Sequence, residues 1–145
     1  MQKEQNTSER GRAVSQFMTP NPVAARPEST LSEIIDTLFS ADIRHLPIVD
    51  DGRVVGIVSD RDVRSIAGIY LNKPAQEAVS SSPCASDFCE TNVISVTPED
   101  DILDVIDLML SHKIGSVPVI DPHDQRLVGI VTYTDVLREL RNAVA

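Results

Sequence analysis

The sequence contains no apolar run approaching the roughly 20 residues that a membrane-spanning helix needs. Its opening stretch, MQKEQNTSERGR, lacks the apolar core of a signal peptide and reads as a loose polar tail over residues 1–12, so the protein is expected in the cytoplasm. Cations are scarce: 13 Lys and Arg stand against 22 Asp and Glu, for a formal net charge of −9. Binding to DNA or RNA through counterion release needs the cationic surface that this balance withholds, so nucleic acid is not an expected partner. There is no glycine-rich Walker loop, no Ser-His-Asp order and no metal signature, and His45, His112 and His123 share no ligand spacing. An enzyme needs a positioned base beside a reactive group, and the sequence supplies neither. What remains is an ordinary globular composition, 41% hydrophobic and 24% charged. A chain of 145 residues buries roughly two-thirds of its unfolded surface, enough for one compact body of two half-size lobes sharing a core.

Against these absences stands a duplication. Residues 27–63 recur as residues 98–136, offset by 71 up to Asp50 and Asp121 and by 73 from Arg53 and Arg126 onward. In the last eleven aligned positions, RVVGIVSDRDV against RLVGIVTYTDV, seven are identical, where unrelated stretches would share about one. Self-similarity at this period predicts two copies of one small domain. They are expected over residues 13–70 and 84–145, with a linker at 71–83 containing two prolines and a serine run. Cysteine occurs twice, at Cys84 and Cys89, which could form a redox pair or half a metal site. The alignment puts them opposite Ala13 and Met18, positions that fill space, and the C-x4-C spacing lacks a second ligand pair. Packing is therefore the favoured role, with no disulfide and no metal between them.

Each copy opens on a short segment ending in Phe17-Met18-Thr19 or Phe88-Cys89-Glu90, followed by an extended stretch, Val23-Ala24-Ala25 or Val93-Ile94-Ser95-Val96, of which the second has the better β propensity. Thr97-Pro98-Glu99-Asp100 predicts a helix start with a hydroxyl N-cap and proline at the first position, and Arg26-Pro27-Glu28-Ser29 predicts a poorer one. Apolar residues at Leu31, Ile34, Ile35, Leu38 and Phe39, and again at Ile102, Val105, Ile106, Met109 and Leu110, predict one buried helical stripe per copy. Two short β-rich runs follow, joined by Asp50-Asp51-Gly52-Arg53 or by the turn around Asp121 and Gln125. A final amphipathic helix completes the order β-α-β-β-α, twice, which is an α+β fold.

The most polar feature common to both copies is G-h-h-[ST]-x-x-D, Gly56 to Asp62 and Gly129 to Asp135, at a strand-to-helix junction. Two readings stand. Ser59 or Thr132 at an N-cap with Asp62 or Asp135 three residues on is a near relative of the capping box. Alternatively the helix start receives an anion, the hydroxyl donates to phosphate and the carboxylate accepts from a ribose diol. Arg61 beside Asp62 likewise reads either as a fork for phosphate oxygens or as a solvated helix-start residue.

The duplicated order, the Met18-Thr19-Pro20 opening, Pro47 and Pro118 placed before the second strands, and the twin G-h-h-[ST]-x-x-D motifs resemble a tandem pair of cystathionine-β-synthase (CBS) domains, a Bateman module, over about residues 14–141. The resemblance implies two repeats packed about a pseudo-twofold axis, with adenosyl ligands such as AMP, ADP, ATP, NAD or S-adenosylmethionine in the cleft between them. It further implies that Asp62 and Asp135 bind ribose, that Ser59 and Thr132 donate to phosphate, and that Ile57 and Ile130 pack on adenine. The adenine edge would be read by Val23, Ala24 and Ala25 and by Val93, Ile94 and Ser95, and phosphate would be met by Arg44 and His45 or by Gly115 and Ser116. Pro22 and two alanines depart from the family pattern in the first strand. The implied protein is a non-catalytic sensor signalling to a separate effector protein, expected to be a homodimer through helix ends around Leu38-Phe39 and Met109-Leu110. A structural module without a ligand is the alternative.

Overall fold

The computed structural model describes residues 12–71 and 83–145, so the expected tail and linker fall almost wholly outside the described residues. The chain forms two compact units that divide it differently from its repeats. Val23–Val93 make the first, and Ile94–Ala145 join the segment ending at Pro22 to make the second. The opening segment of each copy is thus packed with the body of the other copy.

The exchange follows the same bonds in both units. In the second, Val14 N–H donates to Asp100 O (2.7 Å), Ser15 N–H to Pro98 O (3.0 Å) and Ile102 N–H to Arg12 O (3.0 Å). In the first, Ala85 N–H donates to Ser29 O (2.8 Å), Ser86 N–H to Pro27 O (3.0 Å) and Leu31 N–H to Pro83 O (3.0 Å). Val14 and Ala85, aligned in the repeat, are both fully buried. Each unit has its own apolar cluster, around Leu31, Ile34, Leu46, Ile48 and Val58 in the first and around Phe17, Ile102, Val105, Val117 and Val131 in the second, and each cluster takes residues from both copies, Ala85 in the first and Val14 in the second.

The first unit contains helix α1 (Leu31–Ser40), strands β2 (His45–Asp50) and β3 (Arg53–Ser59), helix α2 (Asp60–Leu71) and the short helix α3 (Ala85–Phe88). The second contains a 3-10 turn (Val14–Gln16), strand β1 (Thr19–Pro20), helix α4 (Ile102–His112), strands β4 (Ser116–Ile120) and β5 (Leu127–Thr132), and helix α5 (Tyr133–Val144). Both main helices start later than predicted. Pro27 and Pro98 lie in turns closed by Ser29 N–H to Arg26 O (3.0 Å) and Asp100 N–H to Thr97 O (3.1 Å), so they shape the approach and not the first helical turn. The true N-caps are Thr30, in a reciprocal box with Glu33, and Asp101, paired with Asp104. Copy one is therefore well capped after all.

The apolar stripes are only partly buried. Leu31, Ile34 and Leu38 are in the core while Ile35 and Phe39 are exposed, and Leu110 is exposed beside buried Met109. The five-residue stripe covers more of the helix than the sheet beneath it can.

The β2–β3 turn has positive φ at both Asp51 (52°) and Gly52 (80°), the two-residue hairpin geometry that suits strand twist. Pro47 and Pro118 lie inside β2 and β4, not before them, and are fully buried. Parallel bridges explain why this is tolerated: Ala25 donates to Pro47 O (2.9 Å) and accepts from Val49 N–H (2.8 Å), and Val96 does the same with Pro118 and Ile120. These ladders use the proline carbonyl and the N–H two residues on, so no donor is missed. The first extended stretches are reduced to these single bridges at Ala25 and Val96. On the other edge, β1 pairs with β5 (Thr19 with Ile130), and Glu90 pairs with Ile57 of β3. No helix among the described residues is long and apolar enough to cross a membrane.

Candidate functional site

The G-h-h-[ST]-x-x-D motif forms a strand-to-helix turn in each unit. In the first, Ser59 ends β3 and its N–H donates to Asp62 Oδ2 (3.1 Å), while Asp62 N–H donates to Ser59 Oγ (3.0 Å). Asp60 N–H donates to Arg44 O (2.7 Å), and His45 lies opposite Ser59 across the hairpin. Arg44, His45, Ser59 and Asp62 are thereby gathered at one end of the sheet. His45 is half-buried, and that burial holds its pKa below 6.5 against the opposing pull of Asp62. Arg64 is held by Asp60 (3.0 Å), whereas exposed Arg61 has no ion-pair partner among the described residues. Ile57 is paired with Pro47 on one side and Glu90 on the other. Val23 and Ala24 are exposed and lead into the Ala25 bridge on the far side of β2.

In the second unit the same turn is built with more bonds. Thr132 N–H and Oγ1 reach Asp135 Oδ2 (2.9 and 3.3 Å), Thr19 Oγ1 donates to Asp135 Oδ1 (3.2 Å) and Oδ2 (3.4 Å), and Arg138 Nη1 lies 3.4 Å from Oδ1. Asp135 is 4% exposed. Tyr133 N–H donates to Gly115 O (3.2 Å), Ser116 is buried opposite Thr132, and Ile130 is paired with Pro118 and Thr19. Val93, Ile94 and Ser95 lead into the Val96 bridge.

Sequence spacing located both turns but missed the neighbours brought by the exchanged segments. A Cβ at Gly129 would overlap Met18 Sδ, and one at Gly56 would overlap Cys89 Sγ. Each glycine makes room for the sulfur side chain of the segment laid beside it. Cys89 therefore fills space as its alignment with Met18 implied, and burial pushes its thiol pKa up. Thr19 and Glu90, aligned in the repeat, then fall at corresponding places beside the two turns. Among the described residues no group of three or more His, Cys, Asp or Glu could hold a metal.

A groove of about 480 Å³ lies elsewhere in the first unit, between α1 and α2, against Ile35, Phe39, Ile43 and Val63. It has Arg44 and Asp60 in common with the turn but not Ser59 or Asp62, so the chemistry of the motif does not point into it.

Comparison with known proteins adds to this geometry. The family described as CBS domain matches residues 14–68 and 85–142. Inosine-5'-monophosphate dehydrogenase of Halobacterium salinarum is 32% identical over 127 residues, covering 86% of this chain and 23% of that protein. The chain spans between 22% and 46% of the length of the first four curated relatives. Among solved structures, CBSX2 in complex with AMP superposes with a TM-score of 0.79 at 27% identity, over 93% of this chain and 100% of that one. The CBS domain pair of protein MJ0100, in complex with 5'-methylthioadenosine and S-adenosyl-L-methionine, gives 0.77 at 27% identity, over 92% and 98%.

Proposed function

The chain belongs to the CBS-domain family, carrying two tandem CBS repeats, and from that premise we propose that it is a non-catalytic regulatory module that binds an adenine nucleotide of the AMP, ADP or ATP type. The observation that carries this reading is the pair of [ST]-x-x-D turns, each placing a hydroxyl, a carboxylate and a helix N-terminus within one turn of chain. Such a turn offers donors to phosphate and an acceptor to a ribose diol. Two relatives of like fold, one with AMP and one with methylthioadenosine and S-adenosylmethionine, support the adenosyl class. Arg61 and Arg44 beside the first turn favour a phosphorylated ligand over a bare nucleoside.

The nucleotide acts by binding two arrangements of the protein unequally, since a ligand shifts an equilibrium only by its differential affinity. The output goes to a separate effector protein. The exposed apolar side chains Ile35 and Phe39 on α1, Leu110 on α4 and Leu137 on α5 are the surfaces by which two copies form a homodimer. Calorimetric titration with AMP, ADP, ATP, NADH and S-adenosylmethionine tests the ligand class. Saturable binding of at least one is expected, and no binding by any of them would leave the purely structural alternative.

A further inference from the structure

We propose that the two copies of the homodimer pair through unlike faces: the groove between α1 and α2 of one copy receives the apolar stripe of α5 of the second copy. This rests on the homodimer reading above. On α5, Tyr133, Leu137, Leu140 and Val144 recur at i, i+4, i+7 and i+11, so they fall on one side of the helix, and all four are exposed. The contact of α5 with the core cluster of the second unit is made by Val136, and the stripe residues do not join that cluster. Leu110 on α4 is exposed as well. Large apolar side chains in such a row mark a surface that another protein surface covers.

The first unit has no such stripe. In place of Tyr133, Leu137 and Leu140 its α2 carries Asp60, Arg64 and Ala67, the first two tied to each other (3.0 Å). Small or ion-paired side chains there leave the groove open against Ile35, Phe39, Ile43 and Val63. Two such grooves set face to face would enclose a void whose lining lacks partner atoms, whereas a ridge of large apolar side chains fills one. The charges agree in sign. Asp42 lines the groove, and Lys113 is its aligned counterpart in the second unit; both take a left-handed turn after their helices, with φ of 53° and 56°. Neither has an ion-pair partner among the described residues. Like faces would set Asp42 against Asp42 and Lys113 against Lys113, and unlike faces set Asp42 against Lys113 at the same separation, so attraction replaces repulsion whatever that separation is. Arg44 also lines the groove, and its aligned position is Gly115, so the unlike contact brings no second guanidinium against it.

The test is the mass of the whole chain in solution, by light scattering and sedimentation, for single variants and for their mixture. The unaltered chain is expected to be a dimer at micromolar concentration. Phe39 and Leu137 are 87% and 65% exposed, so each can be exchanged without disturbing a core. Twofold symmetry makes the contact twice, and Phe39→Arg or Leu137→Arg spoils both, so each variant alone should be a monomer. An equimolar mixture of the two should recover a dimer, because one of its two contacts joins an unaltered groove to an unaltered stripe. Asp42→Lys and Lys113→Asp should each weaken dimerisation about threefold or more, and the double variant should restore it. Each of these turns already carries the other residue in the other copy, so the charge-reversed set decides the matter should an arginine variant fail in a thermal melt. A monomeric unaltered chain would overturn the inference together with the homodimer reading. A dimer that survives either folded arginine variant, a mixture that stays monomeric, or charge reversals that leave the unaltered affinity in place would overturn the pairing of unlike faces and leave the homodimer reading intact.

Discussion

Asp62 and Asp135 close the same kind of turn, six residues after the equivalent glycines Gly56 and Gly129, but they end in different states. Asp135 is buried, bonded to a hydroxyl and a guanidinium, and Asp62 is only partly buried. Around this difference nearly everything else is duplicated: the caps at Thr30 and Asp101, the in-strand prolines, the single parallel bridges and the sulfur laid over glycine. The comparison separates two layers of the design. Packing is set by aligned positions that serve the same role in both copies, and the bonding of the two acids is set by the few neighbours in which the copies differ.

The largest effects should come from the packing that both units have in common. Gly56→Ala and Gly129→Ala should each cost about 1–3 kcal/mol in a urea melt, because the new methyl meets sulfur and also a backbone carbonyl, Glu90 O at 3.2 Å or Thr19 O at 3.1 Å. Gly56→Ala should be the worse of the two, since Cys89 Sγ is one bond from its Cβ and cannot swing aside as Met18 can. A loss confined to one unit would break the equivalence of the two exchanges.

Next in size is the difference between the acids. Asp135→Ala leaves the half-buried Thr132 N–H without its carboxylate partner and should cost about 1–2 kcal/mol. Asp62→Ala, at a partly exposed helix start, should cost about 0.3–1 kcal/mol. Equal losses in denaturant melts would mean that Thr19 contributes nothing to the second turn. The caps come third: Thr30→Ala and Asp101→Ala should each cost about 1 kcal/mol, and unequal values would show that the copies differ in helix entry too.

The smallest effect is a dependence on pH confined to the first unit, where His45 stands opposite Ser59 and the second unit has Ser116. Burial depresses the His45 pKa below 6.5, so the fold favours the neutral ring. That contribution is present above the unfolded-state pKa and is lost as pH falls below it, because the unfolded chain then binds the proton more readily. Melts at about pH 7.5 and 5.5 should show the unaltered protein losing more stability on acidification than His45→Gln, and identical slopes would remove His45 from the account.

Much of this organisation could be read from residues alone, for reasons tied to particular positions. The repeat is a property of the chain, so its β-α-β-β-α order and both strand-to-helix turns were legible. Helix starts were misplaced because Pro27 and Pro98 fit a first helical position as well as the preceding turn, and only the bonds to Arg26 and Thr97 distinguish them. Pro47 and Pro118 fall inside their strands, where a proline normally costs a ladder bond, and the parallel bridges that avoid this cost come from residues more than 20 positions away. The exchange of opening segments was invisible for the same reason: alignment sets Thr19 opposite Glu90 but does not say which turn each will border. The half of each apolar stripe that stays exposed, at Ile35, Phe39 and Leu110, has the same periodicity as the buried half.

The most direct test is a crystal structure of the whole chain grown with AMP. The account predicts the ribose hydroxyls within hydrogen-bond distance of Asp62 or Asp135, with the phosphate against Ser59 or Thr132. AMP bound away from both turns would contradict it.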